Sequence, residues 1–374
     1  MNHPPYPNLS IAARERASPF VDTAAVDAWD AWFRWRDHGT LRDLTVDATW
    51  DRVATSLASA ETASSGATWK RHFLDAFAAW QLLLDERILA TAGTDKNGWV
   101  GDGLIAVLNV AAFVRAPSTP QAAFDQETFE QVAALAVRAL DNAGELVGSH
   151  APMDRGLKIG IVGLADAFAL LGLAYDAADG RATAALISRS LAQGCHRGES
   201  QLVCERGASA PCTQAWLARA RAQDVPAEII AEPARRGFRH SRLTAITSQP
   251  RLAVFANNLA DALDPIVASS RADSAAHGAP RVAFARSLAT AHSGEPAFAA
   301  HTPLEPVVAQ LNLRAAMRNW IDEPIDYPVL VDSEPDECVA DRWATMAAAL
   351  GLPPIRWRRS NPAVARAQLS ASSV

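Results

Sequence analysis

Three glycines interrupt an otherwise apolar segment, KIGIVGLADAFALLGLAYD, over residues 158–176. Glycine-rich turns can cradle a phosphate, because their backbone N–H groups approach the anion without a side chain in the way. The spacing here lacks the G-x-G-x-x-G pattern that binds a pyrophosphate after a strand. Apolar residues from Leu164 onward recur at helical spacing. The pattern therefore favours a buried helix that starts after Gly163 and ends with a Gly172 cap.

Four side chains of the types that bind metals, Cys195, His196, Cys204 and Cys212, lie within eighteen residues. Their spacing does not form the C-x₂₋₄-C pairs of zinc sites, so we predict no metal site. The remaining cysteine, Cys338, is isolated. Four cysteines in 374 residues indicate a reducing compartment and no disulfide framework.

Acidic residues cluster at Asp322, Glu323 and Asp326 and again over residues 332–337. A carboxylate metal site or acid–base site is one interpretation, but a solvated acidic face is the prediction that such clusters favour. The nine histidines form no H-x₃-H pair, and the chain has no G-x-S-x-G or Walker A sequence. Zinc hydrolase chemistry therefore has no support in the sequence.

Composition excludes several classes of partner. The chain is 49% hydrophobic and 20% charged, with a net charge of −6, so it does not carry the basic surface that nucleic acid requires. Its longest smooth apolar stretch, residues 104–114, is too short to span a bilayer. The first ten residues are polar and proline-rich, unlike a signal peptide. We expect a cytoplasmic protein without a nucleic-acid or membrane partner.

Alanine, leucine and arginine dominate the chain, and these residues favour helices over strands. Thr45 or Asp47 is the expected N-cap of one helix. We predict loops at 91–103 and 269–281 and a frayed tail from Ser360. Helices are predicted over 24–61, 69–90, 126–147, 181–207, 212–223 and 337–350. Short strands are predicted over 242–247, 251–256 and 328–332.

Seven of the 11 tryptophans precede residue 100. They form either the core of a helical subdomain or an exposed aromatic surface that meets a partner. The sequence leaves both alternatives open. The seven are Trp29, Trp32, Trp35, Trp50, Trp69, Trp80 and Trp99.

Several segments resemble the large subunit of ribonucleotide reductases, especially the adenosylcobalamin-dependent class, and they keep the family's order from about residue 29 to residue 362. The glycine-containing segment is similar to the family's IGLGVxGLADxLxxLGLxYDS. SRLTAITSQPRLAVFANNLADALDP, residues 241–265, resembles SRLTSIAPTGTISLLAGNVSSGIEP without a gap. Other similar segments lie at 33–61, 73–94, 108–114, 315–329 and 350–362.

The resemblance implies a helix-rich α/β fold, namely a partial reductase-type α/β barrel with an N-terminal helical region. The corresponding domains are a helical region over 1–94, the C-terminal half of a barrel over 95–362 and a flexible tail over 363–374. Residues 90–94 are followed almost directly by the segment at 108–114, so the family's first half-barrel is missing between them.

The family's chemistry needs a radical cysteine and two redox cysteines, because only a thiol forms a radical able to take a ribose hydrogen and only two adjacent thiols can supply the electrons. The first cysteine of this chain is Cys195, so none of these positions holds a thiol. One of the redox positions falls near Gly103. The chain is therefore not expected to reduce ribonucleotides alone, and no cofactor is expected. Adenosylcobalamin is implied only by the resemblance.

The family's phosphate-binding turn, P-T-G-T, falls on Ser248, Gln249, Pro250 and Arg251. Pro250 stands in place of the glycine, and proline removes one N–H donor and fixes φ. The turn is thus expected to hold phosphate weakly or not at all. The Arg251 guanidinium is either a substitute anion ligand or an ordinary surface group.

These features predict a non-reducing pseudoenzyme, a scaffold or regulator with a role in nucleotide metabolism. One alternative is an enzyme with repurposed chemistry in the residual pocket around Asn257, Asn258 and Asp264. Another is one half of a split adenosylcobalamin-dependent ribonucleoside-diphosphate reductase. Apolar surfaces that packed against the missing half-barrel would be exposed in a monomer, so the expected partner is a second copy or a reductase-like chain. A nucleotide is a further candidate ligand.

Overall fold

A computed structural model of the chain describes residues 20–96, 99, 103–148, 156–265, 305–331 and 333–359. The described part is helix-rich and α/β, as predicted. Its helices are α1 (Thr23–Ala28), α2 (Val46–Ala58), α3 (Gly66–Ala78), α4 (Glu86–Thr91), α5 (Gln126–Leu146), α6 (Leu164–Leu171), α7 (Ala178–Arg206), α8 (Gln214–Ala222), α9 (Ala227–Arg236), α10 (Pro250–Phe255), α11 (Pro306–Met317) and α12 (Glu337–Ala349). Its strands are β1 (Arg36–Asp37), β2 (Thr40–Leu41), β3 (Leu82–Leu84), β4 (Ile105–Asn109), β5 (Val114–Arg115), β6 (Ala123–Phe124), β7 (Gly156–Val162), β8 (Arg242–Thr244), β9 (Val329–Val331) and β10 (Trp357–Arg359).

The central sheet has four strands in the order β3-β4-β7-β8. β3 runs antiparallel to β4, whereas β4, β7 and β8 are parallel. Leu108 of β4 lies beside Leu82 on one side and Ile161 on the other. Within the described residues the sheet is open, which agrees with the predicted partial barrel. Because β4, β7 and β8 are parallel, their C-terminal ends meet at one edge of the sheet.

The N-terminal region is less continuously helical than the prediction over 24–61. After α1 a π-helical turn covers Trp29–Phe33, and a hairpin of β1 and β2 follows. His38 and Gly39 both have positive φ angles, of 46° and 83°, as a two-residue turn between antiparallel strands requires. The predicted N-cap is confirmed, because the Thr45 hydroxyl accepts a hydrogen bond from the backbone N–H of Ala48 at 3.3 Å.

The single helix predicted over 69–90 is wrong, since the chain divides there into α3, β3 and α4. The leucines of β3 are fully buried and pair with β4, so tertiary burial overrides their helical propensity. Trp80 has a φ of 55° and ends the helical path. Asp85 begins the next helix by accepting a hydrogen bond from the N–H of Arg87 at 2.9 Å.

The glycine-containing segment forms a strand and a helix. β7 occupies its first half, which was not predicted, and α6 follows as predicted. Gly163 and Gly172 flank α6 with φ angles of 72° and 71°, so the predicted Gly172 cap is confirmed. A Cβ on Gly163 would lie 3.2 Å from the Asn109 carboxamide oxygen, so this glycine also permits close packing. The helices predicted over 126–147, 181–207, 212–223 and 337–350 are confirmed as α5, α7, α8 and α12.

The strand predicted over 251–256 is wrong, because these residues form α10. Pro250 occupies the first turn of this helix, where a missing N–H costs nothing. The apolar face of α10 carries Leu252 and Phe255, both fully buried. A short apolar run does not distinguish a buried strand from a buried helix, and here the proline decides. The loop predicted over 269–281 and the tails from Ser360 and over 363–374 lie outside the described residues.

The tryptophan-rich region forms a core. Trp29, Trp50, Trp69 and Trp99 are buried, and the other three of the seven are half-buried. Trp50 packs against Phe77, Trp80 and Phe255, with ring centroids 5.3 to 5.5 Å apart. The alternative of an exposed aromatic contact surface is therefore wrong for these residues.

The free edge of β8 is closed by a carboxylate. The Asp322 side chain accepts hydrogen bonds from the backbone N–H groups of Leu243 at 2.6 Å and Thr244 at 3.1 Å. It also accepts a hydrogen bond from the Gln223 amide at 2.8 Å and pairs with the Arg219 guanidinium at 2.9 Å. The Asp322 side chain is only 2% exposed, so the prediction of a solvated acidic face is wrong for this residue. This carboxylate takes up strand N–H groups that would otherwise be open to pairing.

The C-terminal residues build a smaller core of their own. β9 and β10 pair in parallel, and α11 and α12 pack beside them around Leu311, Val331 and Trp343. This unit brings Tyr327 and Arg358 to the C-terminal edge of the central sheet. Among the described residues, no helix combines the length and the apolar character needed to cross a membrane. The domain boundaries at 94 and 362 stay predictions.

Candidate functional site

The residues predicted from the sequence lie in the loops that follow the C-terminal ends of the parallel strands, the edge at which α/β proteins place their ligand sites. β4 ends in Asn109, whose carboxamide oxygen accepts a hydrogen bond from the N–H of Ala111 at 3.1 Å. Asp166, just after β7, accepts a hydrogen bond from the N–H of Ala260 at 2.7 Å. The loop after β8 leads to Ser248 and Gln249. These contacts make the edge a set of interlocked loops.

A carboxylate of the chain itself occupies the predicted phosphate turn. Asp261 accepts hydrogen bonds from the Ser248 hydroxyl at 2.6 Å and from the backbone N–H of Gln249 at 2.7 Å. The Gln249 side chain donates to the Thr247 hydroxyl at 3.2 Å. Pro250 has no N–H to offer. The donors that resembled a phosphate cradle are therefore already used by Asp261.

Arg251 does not converge with these groups. Its guanidinium pairs with the Glu86 carboxylate at 3.1 Å and lies over the Trp32 ring, 5.1 Å from the centroid. Burial raises the pKa of Glu86, and the Arg251 charge opposes that shift. The side chain of Arg251 is 25% exposed, so it is a paired surface group. The structure therefore separates Arg251 from Ser248 and Gln249.

Asn257 and Asn258 shape the end of α10. Both have left-handed backbone conformations, with φ angles of 64° and 60°, which asparagine tolerates better than most residues. The Asn257 carboxamide oxygen accepts a hydrogen bond from the N–H of Val21 at 2.9 Å. The N–H of Asn258 donates to the Val254 carbonyl at 2.8 Å. Both asparagines thus have a conformational role.

Asp264 lies in a cluster with Asp261, Tyr327 and Arg358. The Arg358 guanidinium contacts the Asp264 carboxylate, lies 3.6 Å from that of Asp261 and donates to the Tyr327 hydroxyl at 2.9 Å. The Tyr327 hydroxyl in turn donates to the Asp261 carbonyl at 3.0 Å. Asp261, Tyr327 and Arg358 were not predicted as site residues. Only the position of Asp261, three residues before Asp264, was a signal in the sequence.

The electrostatics of this cluster are dominated by burial. Loss of solvation raises the pKa of Asp264 to about 7, the Asp261 charge adds to the shift and the Arg358 charge opposes it. Burial also raises the pKa of Tyr327 well above its usual value. A carboxyl group that titrates near neutral pH can act as a general acid or base. The neighbouring void at Tyr327 measures only about 10 Å³, room for at most one water molecule.

The four cysteines lie elsewhere, and all four are free thiols. Cys195 is fully buried within α7, and burial raises its pKa well above the usual value. Cys204 and Cys338 are exposed and Cys212 is half-buried. None of them belongs to the loops that follow β4, β7 and β8. In the ranges that the structure describes, no three His, Cys, Asp or Glu side chains are arranged to hold a metal ion.

Parallel strands, connecting helices and polar loops at one sheet edge define this part of the chain as an α/β fold. Residues 104–278 match the family model described as the ribonucleotide reductase barrel domain. Two vitamin B12-dependent ribonucleoside-diphosphate reductases, from two strains of Mycobacterium tuberculosis, are each 32% identical to this chain over 102 residues. Residues 104–278 are thus similar to the barrel domain of the ribonucleotide reductase family.

The extent of these similarities is limited. The alignments with the two mycobacterial reductases cover 25% of this chain and 15% and 14% of the relatives. A class Id ribonucleotide reductase alpha subunit from Actinobacillus ureae superposes with a TM-score of 0.45 at 13% identity, over 71% of this chain and 52% of that one. The chain thus spans only part of the length of the relatives that it matches.

Proposed function

We propose that this chain is a non-reducing ribonucleotide reductase-like protein that acts as a scaffold or regulator in nucleotide metabolism. The observation that carries the proposal is the Asp261 carboxylate on the donors of Ser248 and Gln249. A fixed carboxylate at this position repels a phosphate and competes with it for the same hydrogen bonds. Because Asp261 already accepts the hydrogen bonds of Ser248 and Gln249, the turn has no open donors there for a nucleotide phosphate.

The cysteines support the same proposal. Adenosylcobalamin, if bound, would supply carbon-radical chemistry, which requires a nearby thiol as hydrogen-atom donor. The described residues do not fit this role, because the loops after β4, β7 and β8 contain no cysteine and Cys195 is sealed within α7.

The partner that we propose is a second copy of the chain or a reductase-like chain. It does not need to cover the tryptophans, since these are packed inside. A partner strand of the split-reductase alternative could pair with either edge strand, β3 or β8, and at β8 the Asp322 carboxylate already takes up the N–H groups of Leu243 and Thr244. Affinity purification would identify the partner.

We expect the chain to bind nucleoside di- and triphosphates only weakly, with dissociation constants of about a millimolar or more, and Arg251→Ala to remove what little affinity exists. The reason is that Asp261 holds the turn, whereas Arg251, the cation that follows the turn in the sequence, is partly exposed. Titration calorimetry measures this directly. The proposal would be contradicted by micromolar binding that Arg251→Ala leaves unchanged.

Repurposed acid–base chemistry is a second candidate function, and the observation that favours it is the Asp264 carboxyl group. Its pKa, raised to about 7, suits proton transfer near neutral pH. Tyr327 and Arg358 hold the group in place from the C-terminal unit. This candidate requires that substrate reach a side chain that is only 8% exposed.

The ionisation of Asp264 has a consequence for stability. Its pKa is higher in the folded than in the unfolded protein, so its contribution is complete below about pH 4 and is lost as the pH rises through 7. We expect Asp264→Asn to remove at least about 1–2 kcal/mol of this pH-dependent change, because a pKa raised from its usual value to about 7 is worth a few kcal/mol. Urea unfolding at pH 4.5 and pH 7.5 measures the difference. Equal pH dependence in both proteins would show that Asp264 titrates normally.

A further inference from the structure

The strand β10 brings a positive charge to the candidate site from the C-terminal end of the described chain. Among the described strands, β10 pairs only with β9. Its middle residue is Arg358, whose guanidinium contacts the Asp264 carboxylate and lies 3.6 Å from the Asp261 carboxylate. The side chain of Arg358 is 33% exposed, so water reaches this guanidinium. A short strand that pairs on one side thus supplies a cation to the loop that carries both carboxylates.

Arg358 joins two carboxylates that repel each other. Burial raises the pKa of Asp264, and the Asp261 charge raises it further, so the two carboxyl groups interact. Arg314 is another cation nearby, but its guanidinium donates hydrogen bonds to the backbone carbonyls of Tyr327 at 3.3 Å and of residue 328 at 2.8 Å. Without Arg358, two like charges would share the loop without their paired cation. That repulsion favours movement of Asp261 away from its present position.

The other contact that holds Asp261 belongs to the main core. The Tyr327 hydroxyl donates to the Asp261 carbonyl, and the Tyr327 side chain packs with the buried residues of the main core. β10 packs elsewhere, because Trp357 lies against Trp343 in the smaller C-terminal core, with ring centroids 5.4 Å apart. Withdrawal of β10 therefore removes Arg358 from the loop and leaves the main core packed.

We propose that β10 is a latch that regulates access to the Ser248–Gln249 turn. With Arg358 docked, the Asp261 carboxylate stays on the turn, and with Arg358 withdrawn, Asp261 leaves and the two donors become accessible. Arg358 is a positioning residue, because it acts through Asp261. The inference rests on the proposed function, in which Asp261 blocks the turn, and adds the contact that releases the block. A partner chain that displaces β10 would shift the population towards the open turn.

Amide-resolved hydrogen exchange on the full chain tests the latch. The backbone N–H of Gln249 donates to Asp261 at 2.7 Å, so it exchanges when that contact opens. We expect Arg358→Gln to accelerate this exchange at least about tenfold, because a hydrogen bond to a charged group loses its support. Arg358→Lys keeps the positive charge and should exchange more slowly than Arg358→Gln. Asp261→Ala removes the acceptor and sets the rate of the open turn.

Two references separate the latch from a general loss of stability. Arg359→Gln is the matched control, since Arg359 is the next residue of β10 and pairs with the exposed Glu334. It should leave the exchange of Gln249 at the wild-type rate. The N–H of Thr244 reports opening of the central sheet, and Arg358→Gln should leave its exchange unchanged.

Four results would overturn the latch and leave the proposed function intact. They are an unchanged rate at Gln249 in Arg358→Gln, an equal effect of Arg359→Gln, equal acceleration at Thr244, and no slower exchange in Arg358→Lys. A different result separates the two proposals. If Asp261→Ala does not accelerate the exchange of Gln249, the carboxylate does not hold the turn in solution, and the latch and the proposed function both fail.

Discussion

Asp322→Ala is expected to lower the free energy of unfolding by about 3–5 kcal/mol, the range observed when one partner is removed from a buried charged pair. The substitution leaves the N–H groups of Leu243 and Thr244 without their acceptor and the Arg219 guanidinium without its counter-charge. It also opens the edge of β8 to pairing with other chains, so we expect more aggregation during refolding.

Asp326→Ala is the matched control from the same acidic cluster. Asp326 and its partner Arg356 are each 61% exposed, and such pairs contribute less than about 1 kcal/mol. Urea unfolding of both variants at one pH gives the comparison. If Asp322→Ala lowers the free energy of unfolding no more than Asp326→Ala does, the Asp322 carboxylate does not stabilise the edge of β8.

His240→Gln is expected to cost up to about 3 kcal/mol at pH 6 and much less at pH 9.5. The His240 ring is buried between Glu199, 2.7 Å from Nδ1, and Asp141, 3.3 Å from Nε2. Burial alone would lower the pKa of His240, but the two carboxylates outweigh it and raise the pKa to about 9. The stabilisation is complete below about pH 6.5 and is lost as the pH rises through 9.

The wild-type protein should therefore lose stability between pH 6.5 and 9, and His240→Gln should lose less. His38→Gln serves as the control, because the side chain of His38 is 96% exposed. Guanidinium or urea unfolding across this pH range measures both slopes. A slope that His240→Gln leaves unchanged would show that the buried ring is neutral in the native protein.

Local patterns in the sequence predicted the elements that local chemistry determines. The Thr45 cap, the Gly172 cap and the long amphipathic helix α5 each depend on residues within a few positions of one another. β3 and α10 were missed, because three leucines or a short apolar run take the conformation that their burial requires. Pairing with β4 makes residues 82–84 a strand, and the proline at the first turn of α10 makes that segment a helix.

The candidate site was only partly predictable. Ser248, Gln249 and Asp264 do lie at the C-terminal edge of the sheet, but Arg251 turns away to Glu86. Asp261 takes the place of an external anion, which spacing alone did not indicate. The contact between Asp264 and Arg358 joins residues 94 positions apart, and no local pattern encodes such a pair.

The roles of the acidic residues show the same limit. Asp322 and Asp326 are four residues apart and look equivalent in the sequence. One is buried on strand N–H groups and the other is solvated. The difference arises because Asp322 meets β8 and Gln223, both distant along the chain. Burial, which depends on tertiary contacts, separates a structural carboxylate from a surface one.

The central proposal, a chain that does not reduce ribonucleotides, is tested most directly by a reductase assay. Purified protein is incubated with adenosylcobalamin, a nucleoside diphosphate and a dithiol reductant, and deoxynucleotide is measured by chromatography. We predict no product above the protein-free background, because Cys195 is sealed in α7 and the loops after β4, β7 and β8 carry no thiol. Deoxynucleotide formation that is abolished by Cys195→Ala and retained by Cys204→Ala would contradict the account.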